Sequence, residues 1–378
     1  MEVQAVVELR DREVRGSFVI GRNTAFTFKG KSVDAKAIGK ELGVRYVLGG
    51  SVQRDKSHVR VNAQLVDADS AGQLWAERFD KPLADLFDMQ DEIVASLASQ
   101  LGAALITSEA RRAERTPNPD SMDLYFQGMA WFNKGRNQED LSRARVYFER
   151  ALALDPDNLD ASLGAISVDL QAVLGYRTDP DHRAAQLSAI EAILTKVLSQ
   201  SPNNAWAHYM ICRVQTHTNR GAQGIAECER ALALNPNLAS ARAEIGLARL
   251  YEGRAEETEA HELEALRASP FDTDANVWVA YIAGAKLYLG ADEDAVASYH
   301  RSMDINRNYA TGHFNFAAAL EELGRHDEAR AEVQAGLALN PEFTLRGYRT
   351  GAQSDNAIFL KRREQLIEAM RKAGVPEG

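Results

Sequence analysis

Cysteine is nearly missing from this chain: Cys212 and Cys228 are the only two among 378 residues. One pair cannot build the disulfide framework of a small secreted scaffold, so a reducing compartment, the cytoplasm, is the expected setting. Histidine is sparse as well, with eight residues scattered outside any metal-ligand spacing. Positive charge is in deficit, 44 Lys and Arg against 54 Asp and Glu, for a formal net charge of −10. That balance argues against a nucleic-acid-binding role for the chain as a whole. Charges interrupt every apolar stretch well before the roughly 18 residues a membrane span needs. Met1-Glu2-Val3-Gln4-Ala5 also lacks the basic start and apolar run of a signal peptide. Neither a membrane nor nucleic acid is an expected partner.

What the chain does have is a repeated phrase. It ends at Pro156 (from Ala151), Pro202 (from Val197), Pro236 (from Ala231), Pro270 (from Ala265), Arg307 (from Ser302) and Pro341 (from Gly336). Successive ends lie 46, 34, 34, 37 and 34 residues apart. A helix-ending phrase on a 34-residue ruler resembles the tetratricopeptide repeat, a helix-turn-helix unit stacked into a superhelix. The expected fold is mostly α: a solenoid of about six helix pairs over 122–345, preceded by a small α/β domain over 1–105 and a linker over 106–121. Residues 346–378 are expected to form a capping helix and tail.

The unit ending at Pro270 shows how a pair of helices can be built. A first helix from about Leu238 to Glu252 offers Ala241, Ile245, Ala248 and Leu250 as apolar contacts. Gly246 falls where the two helices approach, and Gly253 ends the first by taking a left-handed conformation. A second helix, about Glu256 to Ala268, must stop before Pro270. The unit ending at Pro341 repeats the plan with Phe314, Ala317 and Leu320, then Gly324, then Ala329, Val333 and Leu337. Twelve extra residues between Pro156 and Pro202 point to a lengthened turn at Gly175–His182. Phe271-Asp272-Thr273-Asp274 reads as a longer connection, and Ser354–Gly374 as a charged helix that covers the last apolar face.

In the tetratricopeptide family the first helices of successive units line a concave groove. That resemblance implies a groove here of Trp206, Tyr209, Met210, Arg213, Glu244, Tyr281, Tyr288, Phe314 and Asn315, holding a protein or peptide partner. Packing between neighbouring helices is the competing role for several of these aromatics. The family's lysine-and-asparagine clamp for a C-terminal carboxylate is not reproduced, so recognition would rest on aromatic and apolar contacts.

Before residue 105 the period changes from helical to alternating. Val44–Val52 and Ser57–Val66 read as two strands joined near Asp55-Lys56, with Val59, Val61, Ala63 and Leu65 on one buried face. A third strand is expected at Gln73–Phe79, and helices at about Asp34–Leu42 and Leu86–Leu105. Phe18–Phe26, Leu42–Leu48, Gly50-Ser51-Val52, Ala63–Ala68 and Leu74–Asp80 together resemble the TolB N-terminal or FlgO-like module. In many bacteria that module stands between a class III adenylate/guanylate cyclase domain, or a winged-helix DNA-binding domain, and C-terminal tetratricopeptide repeats. The family begins it with a further strand and helix, which residues 1–16 are too few to supply. A truncated member with an uncovered sheet edge, open to self-association, is the expectation.

No motif carries chemistry. Gly30-Lys31-Ser32 ends like a phosphate loop, but the glycine required five residues earlier is Ala25. His261-Glu262 begins like a zinc helix, but Ala265 stands where the second histidine belongs. Asp85–Asp91 fits a helix start, where acids complement the dipole. Cys212 and Cys228 fall at small-residue contacts of one repeat and read as packing. The reading is a non-catalytic interaction scaffold without cofactor or metal, in a cyclic-nucleotide signalling context. The alternatives are a cyclase that retains activity and a regulator that has lost a winged-helix domain.

Overall fold

In the computed structural model, residues 34–54, 57–82, 102–134, 137–270 and 272–378 are described. They divide into two compact units between Glu109 and Ala110. The expectations at Phe18–Phe26, Gly30-Lys31-Ser32 and Asp85–Asp91, and most of the helix expected at Leu86–Leu105, lie outside these residues.

In the first unit, helix α1 (Ala35–Leu42) starts where the Asp34 carboxylate accepts from the Ala37 amide at 2.7 Å. Three antiparallel strands follow in order, β1 (Tyr46–Arg54), β2 (His58–Asp67) and β3 (Gln73–Pro82). Alternation sets their faces. Leu48, Val59, Ala63, Leu65, Trp75 and Phe79 share one face with Leu105 of helix α2 (102–114). On the other face Val47 packs with Ile38 and Ala68 beneath α1. The expected buried positions of β2 are buried except Val61, which is half-buried. Tyr46 donates to Glu109 at 2.6 Å, fastening α2 to the start of β1.

The second unit consists of six antiparallel helix pairs, as the phrase spacing requires. They are α3 (Ser121–Lys134) with α4 (Gln138–Leu154), and α5 (Leu159–Leu174) with α6 (Arg183–Gln200). Next come α7 (Ala205–Thr216) with α8 (Gly221–Leu234), and α9 (Ala239–Tyr251) with α10 (Ala255–Ala268). The last are α11 (Ala275–Tyr288) with α12 (Asp292–Ile305), and α13 (Ala310–Glu322) with α14 (His326–Leu339). A short α15 (Leu345–Thr350) and a longer α16 (Ala357–Ala373) complete the chain.

Glycines set how closely the helices approach. A Cβ at Gly246 would lie 2.8 Å from Glu262 Oε1 and 2.9 Å from His261 Cβ, so α9 and α10 touch through that gap. Gly253 ends α9 at φ +81° and Gly324 follows α13 at φ +73°, as their positions in the repeat require. Asn158 and Asn204 cap α5 and α7 by accepting from Ala161 and Ala207 amides at 2.9 and 3.1 Å.

One expectation is corrected. Cys212 on α7 and Cys228 on α8 do not merely pack: they form a disulfide with Cα atoms 5.4 Å apart, and neither is exposed. The small-residue contact that suggested packing also brings the two Cβ atoms within bonding range.

Candidate functional site: the hollow of the repeat array

The first helices of five successive pairs face one hollow. Gln171 and Leu174 of α5, Arg213 of α7, Leu250 of α9, Tyr281 of α11 and Asn315 of α13 all line it. Seven of the chain's eleven tyrosines do so too. That concentration marks a polar, ring-walled chamber and not an ordinary interhelical core.

The C-terminal segment packs across the hollow. After α14 the chain turns back, and Phe343 stacks on Phe314 with centroids 3.8 Å apart. Tyr348 donates to Asn315 Oδ1 at 3.1 Å. Gln353 then donates to the Tyr176 hydroxyl at 2.7 Å, and its carbonyl accepts from the Asn219 amide at 3.1 Å. Asn356 donates to the Glu252 carbonyl at 2.9 Å, and Arg362 to the Leu287 carbonyl at 2.8 Å and Glu322 at 2.7 Å. These carbonyls sit at the C-terminal ends of α9 and α11, which a helix leaves without intrahelical donors. A cation there also complements the helix dipole. Phe359 lies between Tyr251 and Tyr288, 5.3 Å from each. The tail therefore fills part of the groove as well as covering the last pair.

Of the nine residues expected in the groove, Arg213, Tyr281, Tyr288 and Asn315 line this hollow. Glu244 stands behind them, 3% exposed, with its carboxylate 3.7 Å from Arg213 Nε. Trp206 is half-buried, its ring 5.1 Å from that of Tyr209 and its Nε1 donating to Ser167. Tyr209 and Met210 are buried in the core shared by α5 to α9. Phe314 has no exposed surface and belongs to the core beneath the tail. Met210 and Phe314 are thus out of a partner's reach, because a helix with neighbours on three sides has few positions left for the groove.

Tyr176, Tyr251, Tyr348, Gln353 and Arg363 of the hollow were not expected. One signal was available: a tyrosine two residues before the turn glycine recurs at Tyr251-Glu252-Gly253 and Tyr288-Leu289-Gly290. Nothing local marks Arg363, which reaches the hollow only because α16 folds back.

Burial governs the titratable groups here. It pushes the Glu244 carboxyl up to about 7 against the pull of Arg213. It also raises Glu262 well above the carboxylate range, with Glu244 adding to the effect. His217 is held well below its ordinary value by burial and by Arg183, Arg213 and Arg363 around it. Arg213 and Arg363 place two guanidiniums in the chamber's wall. No group of three His, Cys, Asp or Glu side chains that could hold a metal occurs among the described residues. No helix among them is long and apolar enough to cross a membrane.

A second hollow of about 210 Å³ is lined by Phe132, Lys134, Leu141, Gln171, Thr273 and Ile305. Ile305 is 48% exposed there.

The tetratricopeptide-repeat family model matches residues 173–339. A putative adenylate cyclase 3 of Rhizobium meliloti (strain 1021) is 40% identical over 149 residues, 38% of this chain. The match spans 25% of that relative's length. A thermophilic TPR protein of Thermus thermophilus is similar at 16% identity and a TM-score of 0.41, covering 53% of this chain and 98% of its own. YrrB, described as a TPR protein with an unusual peptide-binding site, is similar at 19% identity and a TM-score of 0.31. It covers 48% of this chain and 90% of its own. Six stacked helix pairs, together with the family model over 173–339, make the helical part of this chain a tetratricopeptide-type α-solenoid.

Proposed function

We propose that this chain is a non-catalytic interaction scaffold that holds a protein or peptide partner on the part of its groove the tail leaves open. The supporting observation is the hollow around Phe132, Leu141 and Ile305, which keeps an apolar side chain in solvent beside a lysine. An extended acidic or neutral segment with an apolar anchor fits that chemistry. Capture of partners by the wild type and by Ile305→Asp tests the reading. Equal capture by both would count against the groove.

The setting we propose is cyclic-nucleotide signalling. It is supported by the 40% identity to the putative adenylate cyclase, and the TolB-like or FlgO-like residues of the first unit suit the same setting. The same likeness favours the second reading, a protein of the cyclase family that retains activity. A cyclic-nucleotide assay on the purified chain separates the two, since turnover would overturn the scaffold reading. We also propose the cytoplasm as its location; the buried Cys212 and Cys228 sulfurs are shielded from the thiolates that would reduce them there. Self-association through β1 or β3, the outer two of the three strands among the described residues, remains part of the proposal. A molar mass measured by light scattering across a dilution series would reveal it.

A further inference from the structure

The chamber under the tail carries an imbalance of charge that stacking helices do not require. Its volume is about 110 Å³. Two guanidiniums, Arg213 and Arg363, line it, and no carboxylate does. Arg363 is 4% exposed. Its partners are uncharged: the Tyr176 hydroxyl at 3.2 Å, the Tyr348 carbonyl, and the rings of Tyr348 and Phe359. Its Nε has no hydrogen-bond partner among the described residues, and neither does Arg213 Nε. Arg183, also buried, lies 4.8 Å over the Tyr176 ring with its Nη2 unpartnered. Among the other lining residues, the buried Gln353 Oε1 and His217 Nδ1 also have no hydrogen-bond partner among the described residues.

Arg363 has no carboxylate beside it, and Arg213 has only Glu244 at 3.7 Å, whose carboxyl burial pushes up to about 7. Buried cations so weakly countered are costly, and orphaned donors add to the cost. Water entering the chamber would satisfy the orphaned donors and Gln353. It would not neutralise Arg363, nor relieve Arg213 of its dependence on Glu244. An anion would do both, and a hydroxyl on that anion would supply the donor Gln353 lacks. Size limits the choice. A cavity of about 150 Å³ admits benzene, so this one takes about four to six non-hydrogen atoms. A nucleotide or a peptide is too large.

We propose that the chamber under the tail is a binding site for a compact hydroxyl-bearing oxyanion, hydrogen phosphate or a short hydroxycarboxylate, gripped by Arg213 and Arg363 and hydrogen-bonded to Gln353. Arg213, Arg363 and Gln353 do not line the hollow around Ile305, so either site can fail without the other.

The test is calorimetric titration and thermal unfolding of the full chain with sodium phosphate, glycolate, lactate, acetate and chloride at matched ionic strength. Saturable binding and a raised Tm are expected with phosphate, or with glycolate and lactate, and less with acetate, which lacks the hydroxyl. The arm that responds identifies which oxyanion the site takes. Arg213→Met and Arg363→Met should each weaken binding by at least about tenfold. Arg346→Met, at an exposed cation paired with Asp181, should leave it unchanged. Should Arg363→Met fail to fold cooperatively, Arg213→Met carries the comparison. No saturable response to any anion overturns the proposal. Equal binding by wild type and Arg213→Met means an adventitious ion only, and overturns it as well.

Discussion

The Asn340 side-chain amide donates to the main-chain carbonyl of Tyr176 at 3.2 Å, tying the end of the sixth helix pair to the turn of the second. The same amide reaches the Gly175 carbonyl at 3.1 Å. The twelve extra residues that interrupt the repeat period thus supply the contact on which the array closes. Nearby, Asp181 accepts from Arg346 at 2.8 Å.

Asn340→Ala removes a donor from two carbonyls at a site that is 2% exposed. The expected cost is about 1–3 kcal/mol. A urea titration measures it. A midpoint equal to that of the wild type would show that the closure contributes nothing to stability.

The disulfide gives a second expectation. Cys212 and Cys228 are 16 residues apart in sequence, and a loop of about that length is worth roughly 3 kcal/mol in the unfolded-chain account. Cys228→Ser should lower stability by that order. Thiol titration of the denatured, unreduced wild type should find no free thiol, and two after reduction. Two before reduction would mean that the bond does not form.

Gly246→Leu tests the packing of one pair. Its Cβ would meet Glu262, His261 and the Thr258 carbonyl within 3.1 Å. Overpacking of this kind costs about 1–3 kcal/mol. Unchanged melting would contradict the α9–α10 contact.

Stability should depend on pH through Glu244. Its folded-state value, about 7, lies above the ordinary 4.5, so the native state holds a proton that the unfolded chain has released. The stabilising term is complete below pH 4.5 and disappears as pH rises through 7. Its size is of order 3 kcal/mol. Glu244→Gln cannot titrate, so its stability relative to wild type should rise across that window. A constant difference from pH 4.5 to 7.5 would remove Glu244 from the account. His217, held low, acts in the opposite sense and costs stability as pH falls below its ordinary value of 6.5.

The helix pairs were legible because each makes its contacts with its immediate neighbours. The phrase ending at Pro270 predicts α9 and α10 to within a residue or so at each end, and Gly246 and Gly253 do what their places in it demand. The strands were legible for a similar reason: period-two alternation at Val59, Ala63 and Leu65 is a local pattern. The groove was less so. Arg213 and Tyr281 face the hollow, yet Met210 and Phe314, which sit on first helices like them, are spent on cores. Which side of a helix faces the hollow depends on the superhelical twist, and one repeat does not encode it.

Taken alone, the order of amino acids determined the number of helix pairs, their breaks and the sheet ahead of them, since propensity, turn residues and period act over a few positions. Tertiary structure decided that α16 returns to cross the ends of earlier helices, that Arg363 meets Tyr176 across 187 residues, and that two cysteines bond. The disulfide follows from the close approach of two helices in one pair. The other two outcomes follow from the accumulated turn of five stacked pairs, a sum of small rotations in which no single residue carries the answer.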